Sequence, residues 1–314
     1  MLKILITGGA GNVGGSLAKR LVTNPENFVV VVDDLSTGNL KKLPDADKYA
    51  NFKFIKSDVN SFDDISSVVL RYGFDFIFHY AAVVGVKRTL DNPVKVLRDI
   101  QGIQNILLLA KNTGVKRVFY SSSSEVYGEP VEFPQNEDTT PLNSKLPYAI
   151  VKNVGEAFLK SYKKEYNLDY TIFRFFNTYG PDQSPDFVIS KFIDAALENR
   201  PITIYGDGMQ TRTFCYVDDN IEATTNAMYN DLFVNEVVNI GSDKELTILE
   251  LARLVIKETD SSSEIIFLPP LEEGDMTRRK PDIRKMNQLL KRNMTSIEEG
   301  IRKIIKLRLI NKVL

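Results

Sequence analysis

Two groups of residues in this chain could do chemistry. The first is a tyrosine and a lysine four residues apart, Tyr148 and Lys152 in YAIVK, preceded by the serine-rich run YSSSSEVYG from Tyr120. Positions i and i+4 share a helix face, so the Lys152 ammonium can reach the space beside the Tyr148 phenol. The second is ILITGGAGNVGG from Ile4, an apolar run that enters glycines at positions 8, 11 and 14. That spacing is a phosphate-binding turn. Gly8 permits a sharp turn, Gly11 lets the backbone approach a pyrophosphate, and Gly14 lets the next helix pack close to the sheet. The helix N-terminus then faces the anion with unpaired N–H groups and partial positive charge.

About twenty residues later the apolar run Phe28 to Val32 ends in Asp33 and Asp34. Asp33 sits where a carboxylate would accept hydrogen bonds from the adenosine ribose, and it would repel a 2′-phosphate, so NAD is expected rather than NADP. The tyrosine then acquires a purpose. A free tyrosine has a pKa of about 10, so only ~0.1% is phenolate at pH 7. A shift of about three units needs ~4 kcal/mol of differential stabilisation, which Lys152 and the nicotinamide charge are expected to supply together.

These groups need a scaffold that brings them together. Candidate strands at 52–55, 75–80, 115–121 and 169–176 alternate with helical stretches at 62–72, 94–112 and 148–166, which implies a parallel sheet wound on both faces. After Gly180 the pattern loosens into a helix at 188–198, short strands at 202–205 and 237–240, and a helix opened by a capping box, Thr247 with Glu250. The expected fold is α/β: a Rossmann-type doubly wound parallel sheet with a smaller C-terminal α/β substrate domain. The expected domains are 1–177 for NAD and 178–314 for the substrate, with segments near 215–240 able to return to the first.

Composition excludes several classes. Lys plus Arg number 40 against 41 for Asp plus Glu, so no global field draws nucleic acid or a membrane. One Cys and one His rule out an internal disulfide and a Cys/His metal cluster, so no metal is expected. His79 closes an apolar strand and reads as structural, and Cys215 has no histidine beside it to make it a nucleophile. MLKILITGG is a strand entering a turn rather than a signal peptide, and no run of about 18 apolar residues exists, so a cytoplasmic location is expected.

TGGAGNVG from Thr7, HYAA from His79, SSSSEVYG from Ser121, YAIVK from Tyr148, FFNTYGP from Phe175 and YGDGMQTRTFCYVDD from Tyr205 fall in order along nearly the whole chain. With them the sequence resembles the extended short-chain dehydrogenases that remodel nucleotide sugars. The resemblance implies a tightly held NAD, a UDP- or dTDP-sugar substrate and a homodimer formed through the helices near 94–112 and 148–166. It makes Tyr148 the base that takes the proton from the sugar 4-hydroxyl, places Ser123 on the same oxygen, and has Lys152 hold the nicotinamide ribose. Around the cofactor it assigns Asn12 and Val13 beside the glycines and Asp34, Ser36, Thr37 and Gly38 beside Asp33. Asp58 and Val59 would line the adenine, with Tyr80, Ala81, Ala82, Ser121 and Phe176 completing the site. Asn177 and Arg212 would grip the diphosphate, and Val188, Thr203, Tyr205 and Arg279 would meet the substrate.

Which reaction follows C4 oxidation is divided among the motifs. Dehydratases of this kind place Asp then Glu after the hydroxyl residue, whereas here Ser124 and Glu125 follow Ser123. Decarboxylases that make UDP-xylose resemble this chain at Ser124–Glu125 and in GDMTRRKPDI from Gly274, but they follow the tyrosine with Asp-Glu-Gly. Ala149, Ile150 and Val151 look more like an epimerase. Glu125 is either an acid/base at C5 or a structural carboxylate. Asp99 stands where epimerases commonly have Asn, and Glu272 where they have Arg, so diphosphate contact can pass to Arg279. The width of the sugar pocket falls to side chains around Val84, Ser124 and Val188. The leading expectation is an NAD-dependent UDP-sugar 4-epimerase, with a UDP-glucuronate decarboxylase or nucleotide-sugar dehydratase as the alternative. A non-catalytic NAD-binding scaffold would be expected to have lost Tyr148 or Lys152.

Overall fold

The computed structural model describes residues 1–270 and 278–313. Seven parallel strands form the central sheet. The first half of the chain runs β1 (Leu2–Thr7), α1 (Asn12–Leu21), β2 (Asn27–Asp33), β3 (Phe52–Lys56), α2 (Phe62–Tyr72), β4 (Phe76–His79), α3 (Val86–Asp91), α4 (Pro93–Leu97), α5 (Asp99–Thr113), β5 (Arg117–Ser123), α6 (Pro147–Tyr166) and β6 (Asp169–Phe175). The second half runs β7 (Thr178–Tyr179), α7 (Val188–Leu197), β8 (Ile202–Tyr205), β9 (Thr211–Thr213), β10 (Cys215–Tyr216), α8 (Val217–Tyr229), β11 (Glu236–Ile240), β12 (Glu245–Thr247), α9 (Ile248–Thr259), β13 (Ile265–Leu268), α10 (Arg284–Leu289) and α11 (Ile297–Val313).

The strand order is β11-β6-β5-β4-β1-β2-β3, so the chain winds outward from β1 to β3 and then crosses back to β4. That reversal leaves a crevice at the carboxyl ends of β1 and β4, where open α/β sheets hold their ligands. Because both faces are covered, the central strands β1, β2 and β4 are largely apolar and alternate residues serve different layers. Ile4, Ile6, Val29, Val31, Phe78 and Phe119 pack with Leu17 of α1 and Ile221 of α8. Leu5, Val30, Val32, Ile77 and Val118 pack on the other face with Ile65 of α2, Ile106 of α5 and Leu159 of α6.

The expected strands and helices appear, with differences that have local causes. The helix expected over 94–112 is divided at Arg98, where the Gln101 N–H turns to the Arg98 carbonyl and tightens the chain by one residue. The expected capping box is present: Thr247 Oγ1 accepts from the Glu250 N–H at 3.1 Å, and Glu250 Oε2 accepts from the Thr247 N–H at 2.8 Å. Helix α8 carries no apolar run in the sequence, because Asp219, Asn220, Thr224 and Thr225 share its buried face with Val217, Ile221, Ala223, Ala227 and Met228. The small strands come in pairs, β7 with β10, β9 with β12 and β8 with β13.

Under the crevice a buried ion pair joins the elements that carry the serines, the tyrosine and the lysine. Arg174 on β6 donates from Nε to Glu156 Oε1 at 2.9 Å and from Nη2 to Oε2 at 2.7 Å, and both side chains are no more than 2% exposed. Ser122 on β5 donates to the same Glu156 Oε1 at 2.6 Å. Arg174 Nη1 also donates to the Tyr127 hydroxyl at 2.8 Å, which in turn donates to Asn239 Oδ1 at 2.8 Å. Breaking a buried pair leaves an uncompensated charge. Arg174→Met is therefore expected to lower stability by about 3–5 kcal/mol in urea unfolding, and Glu156→Leu combined with it to recover most of that loss. Equal losses in the single and double variants would show that the two charges do not depend on each other.

Candidate active site

The cofactor side of the crevice is made by the turn between β1 and α1. Gly8 has φ +67°, and a Cβ there would lie 2.6 Å from the Ala81 nitrogen. A Cβ on Gly14 would lie 2.5 Å from the Gly8 carbonyl oxygen, so the helix can sit this close to the turn only with glycine at that position. Helix α1 has no side-chain cap and no acidic residue in its first turn. Its start lines a cavity of about 680 Å³ together with Gly8, Gly11, Asn12, Val13 and Gly14. At the end of β2 the Asp33 carboxylate accepts the Ala10 N–H at 2.9 Å and the Leu35 N–H at 2.8 Å, and burial raises it from the ordinary carboxylate range. Asp34, Ser36, Thr37, Gly38, Asp58, Val59, Tyr80, Ala81 and Ala82 line the same cavity. His79 is tied to Thr7 Oγ1 at 2.9 Å and is held neutral, its pKa lowered to about 3 by burial and by Lys152.

The reacting side is set by how closely α6 approaches β5. Tyr148, Lys152 and Glu156 recur every four residues on one face of α6, and Gly155 beside them has no side chain to collide with the Tyr120 hydroxyl. Lys152 is 3% exposed and donates to Ser121 Oγ at 3.4 Å, with its nitrogen 5.0 Å from the Tyr120 ring centre and 5.7 Å from that of Tyr148. Burial lowers its pKa to about 8, against the pull of Asp99. Ser123 hydrogen-bonds Tyr148 and accepts the Glu125 N–H at 3.2 Å. The expected depression of Tyr148 is not produced by the protein's own groups. Burial pushes the phenol up first, and Ser123 and Arg279 oppose it only in part.

Glu125 is paired. Its Oε1 lies 2.8 Å from Arg279 Nη2, and both side chains line the cavity beside Ser123 and Tyr148. Asn177 (φ +36°) donates to the Thr213 carbonyl at 3.0 Å, and Arg212 on β9 and Val188 at the start of α7 complete this wall. Three expected residues lie elsewhere. Phe176 is fully buried against Tyr127 and Val126. Thr203 and Tyr205 occupy β8 positions whose neighbours Ile202 and Ile204 face the core, and Lys191 sits over the Tyr205 ring. Glu272 and Gly274 lie outside the described residues. Asn60, Arg88 and Phe187 line the cavity too, and no motif singled them out for that role; Asp99, which the resemblance places where epimerases have Asn, lines it as well. For Asn60 the signal is its place just past the end of β3, on the edge where ligands collect.

Residues 4–241 match the family model described as the NAD dependent epimerase/dehydratase family. The chain belongs to that family. It is 36% identical to a UDP-N-acetyl-alpha-D-glucosaminuronate decarboxylase of Bacillus cytotoxicus over 96% of each chain. The structure of a UDP-glucose 4-epimerase of Thermotoga maritima with UDP-glucose is similar at TM-score 0.92 and 30% identity, covering 99% of this chain and 100% of that one. A UDP-glucose 4-epimerase of Thermus thermophilus complexed with NAD matches at TM-score 0.89 and 27% identity, covering 97% and 98%. The protein is thus an NAD-dependent enzyme of the epimerase, decarboxylase and dehydratase class. Its residues fit the cofactor, since an uncapped helix start without a nearby acid suits a diphosphate and Asp33 at the β2 end suits ribose hydroxyls.

Lys152 gives the site a measurable signature. Its folded pKa of about 8 lies below the unfolded 10.5, so below pH 8 burial of the ammonium costs stability. Between those values only the unfolded chain holds the proton, and this penalty disappears as pH rises. The stability advantage of Lys152→Met over the wild type is expected to be larger at pH 7 than at about pH 9.5 in denaturant unfolding. A difference independent of pH would show that Lys152 titrates normally.

Proposed function

We propose that this enzyme is a UDP-sugar 4-epimerase that oxidises C4 of a nucleotide sugar and reduces it again from the other face. The reading is carried by Ser123, Tyr148 and Lys152 meeting at one point of the cavity while Glu125, a carboxylate beside Ser123 and Tyr148, is held by Arg279. NAD, when bound, supplies the acceptor for the C4 hydride and returns it. Tyr148 takes the proton of the 4-hydroxyl, Ser123 hydrogen-bonds the same oxygen, and Lys152 stabilises the phenolate. Asn177 and Arg212 hold the diphosphate, the arginine by its planar fork. Elimination across C5 and C6 would need a free acid and a free base. Ser124 is neither, and Glu125 is neutralised by a cation at 2.8 Å.

The same ion pair favours one second reading. Arg279 places a guanidinium where a sugar carboxylate could approach, and loss of carbon dioxide from a 4-keto acid needs no elimination base. A UDP-uronate decarboxylase is therefore the alternative, in keeping with the Bacillus cytotoxicus relative. We also propose a cytoplasmic homodimer built on α5 and α6, where Leu108 and Ile150 are 37% and 40% exposed. No helix among the described residues is long and apolar enough to cross a membrane.

Incubation with UDP-glucose, UDP-N-acetylglucosamine and UDP-glucuronate is expected to give a product of unchanged mass with C4 inverted, read by mass spectrometry and proton NMR. Release of carbon dioxide or water would replace the epimerase with the decarboxylase or a dehydratase. Tyr148→Phe is expected to slow turnover at least about 10²-fold while the protein still retains NAD. Retention of full activity would remove Tyr148 from the reaction. For the assembly, Leu108→Glu with Ile150→Glu is expected to give monomers in sedimentation equilibrium, and an unchanged mass would place the contact elsewhere.

A further inference from the structure

Asp99 stands in the first turn of α5, 9% exposed, and lines the same cavity as Lys152. Its Oδ2 accepts the Val83 N–H at 2.8 Å, and Asn60 hydrogen-bonds the same carboxyl. An asparagine could accept the Val83 N–H equally well, so the contacts that fix this side chain do not call for its charge. Burying a carboxylate costs free energy unless a cation compensates it. Helices α5 and α6 pack against each other, and Asp99 of α5 and Lys152 of α6 line the same cavity.

The other groups around Lys152 do not perform this role. Tyr148 on its own helix and Tyr120 on β5 are phenols that burial keeps protonated. His79 on β4 is neutral. Glu156, one turn further along α6, is taken up by Arg174, and Glu125 by Arg279. Arg88, Lys95 and Arg98 on α3, α4 and their junction with α5 bring only further positive charge to the cavity. Asp99 is the carboxylate that draws Lys152 toward its charged form.

We propose that Asp99 is a positioning residue whose carboxylate is the counter-charge that keeps the proton on Lys152, and that it thereby sets the highest pH at which the Tyr148–Lys152 pair works. The second half of this statement rests on the catalytic reading of Tyr148 and Lys152, and the first half does not. Two measurements on the full chain separate them. In protein labelled at lysine side-chain nitrogens, with Lys152 assigned by its loss in Lys152→Arg, Asp99→Asn is expected to move the Lys152 titration midpoint down by about one pH unit. Asp99→Glu is expected to move it less.

On a substrate that is turned over, the ratio of Asp99→Asn to wild-type kcat/KM is expected to fall about tenfold between about pH 6 and pH 9, because above both midpoints a one-unit downward shift cuts the protonated fraction of Lys152 about tenfold. A merely structural role would lower the ratio equally at every pH. An unmoved Lys152 midpoint overturns the proposal whatever the activity. A moved midpoint with a pH-independent activity ratio, or with no turnover of any nucleotide sugar, supports the counter-charge and overturns its catalytic consequence.

Discussion

The Glu156–Arg174 pair is the constraint on which the rest of the crevice depends. Two opposite charges at 2% exposure or less can persist only when their hydrogen-bonding capacity is filled. Ser122 and Tyr127 help to fill it, and each of these partners neighbours a cavity residue. Ser122 stands between Ser121 and Ser123 on β5. Tyr127 closes the short turn that contains Glu125. Glu156 lies one helical turn beyond Lys152 and two beyond Tyr148. A shift of α6 along its axis would break charged hydrogen bonds before it disturbed the tyrosine, so the pair fixes the register of helix against strand. The chain continues through Asn239 to the Gln135 carbonyl, and Gln135 takes the Lys280 carbonyl at 2.7 Å, which anchors the segment carrying Arg279.

That rigidity lets burial set the protonation states. Desolvation favours the neutral form of both partners, so it lowers Lys152 and raises Tyr148. The protein thus keeps the proton on the phenol, and the site is built so that added positive charge has a large effect in a poorly solvated space. A tyrosine already depressed in the free protein would be a base at all times. One raised by burial becomes a base only when the cavity acquires further positive charge. In the proposed reaction this would tie its basicity to cofactor occupancy.

The glycine turn, Asp33 and the Tyr148–Lys152 spacing were legible in the sequence because each is a local pattern: a turn, a strand end, one helix face. The strands were legible because a doubly covered sheet requires unbroken apolar runs. The expected residues that do not line this cavity depend on distant partners or on the way a strand faces. Thr203 and Tyr205 sit in a suggestive motif, but the alternation of β8 commits Ile202 and Ile204 to the core and turns the other two outward. Phe176 follows a cavity strand and yet is packed against Tyr127. The break at Arg98 arises from a single carbonyl changing partner, which periodicity does not register.

Glu125 shows why residue type alone left the reaction class divided. As a lone carboxylate behind a catalytic serine it would read as an acid or base. Paired with Arg279 at 2.8 Å, it could pass a proton only if that ion pair first opened. Glu125 Oε2 and Arg279 Nε are both buried with polar capacity unfilled. The pair is therefore satisfied toward itself and unsatisfied toward its surroundings, an arrangement that a substrate with its own hydrogen-bonding groups can complete without separating the charges. In the proposed reaction such a pair would discriminate by what it can bind at the sugar, and the proton traffic would stay with Tyr148.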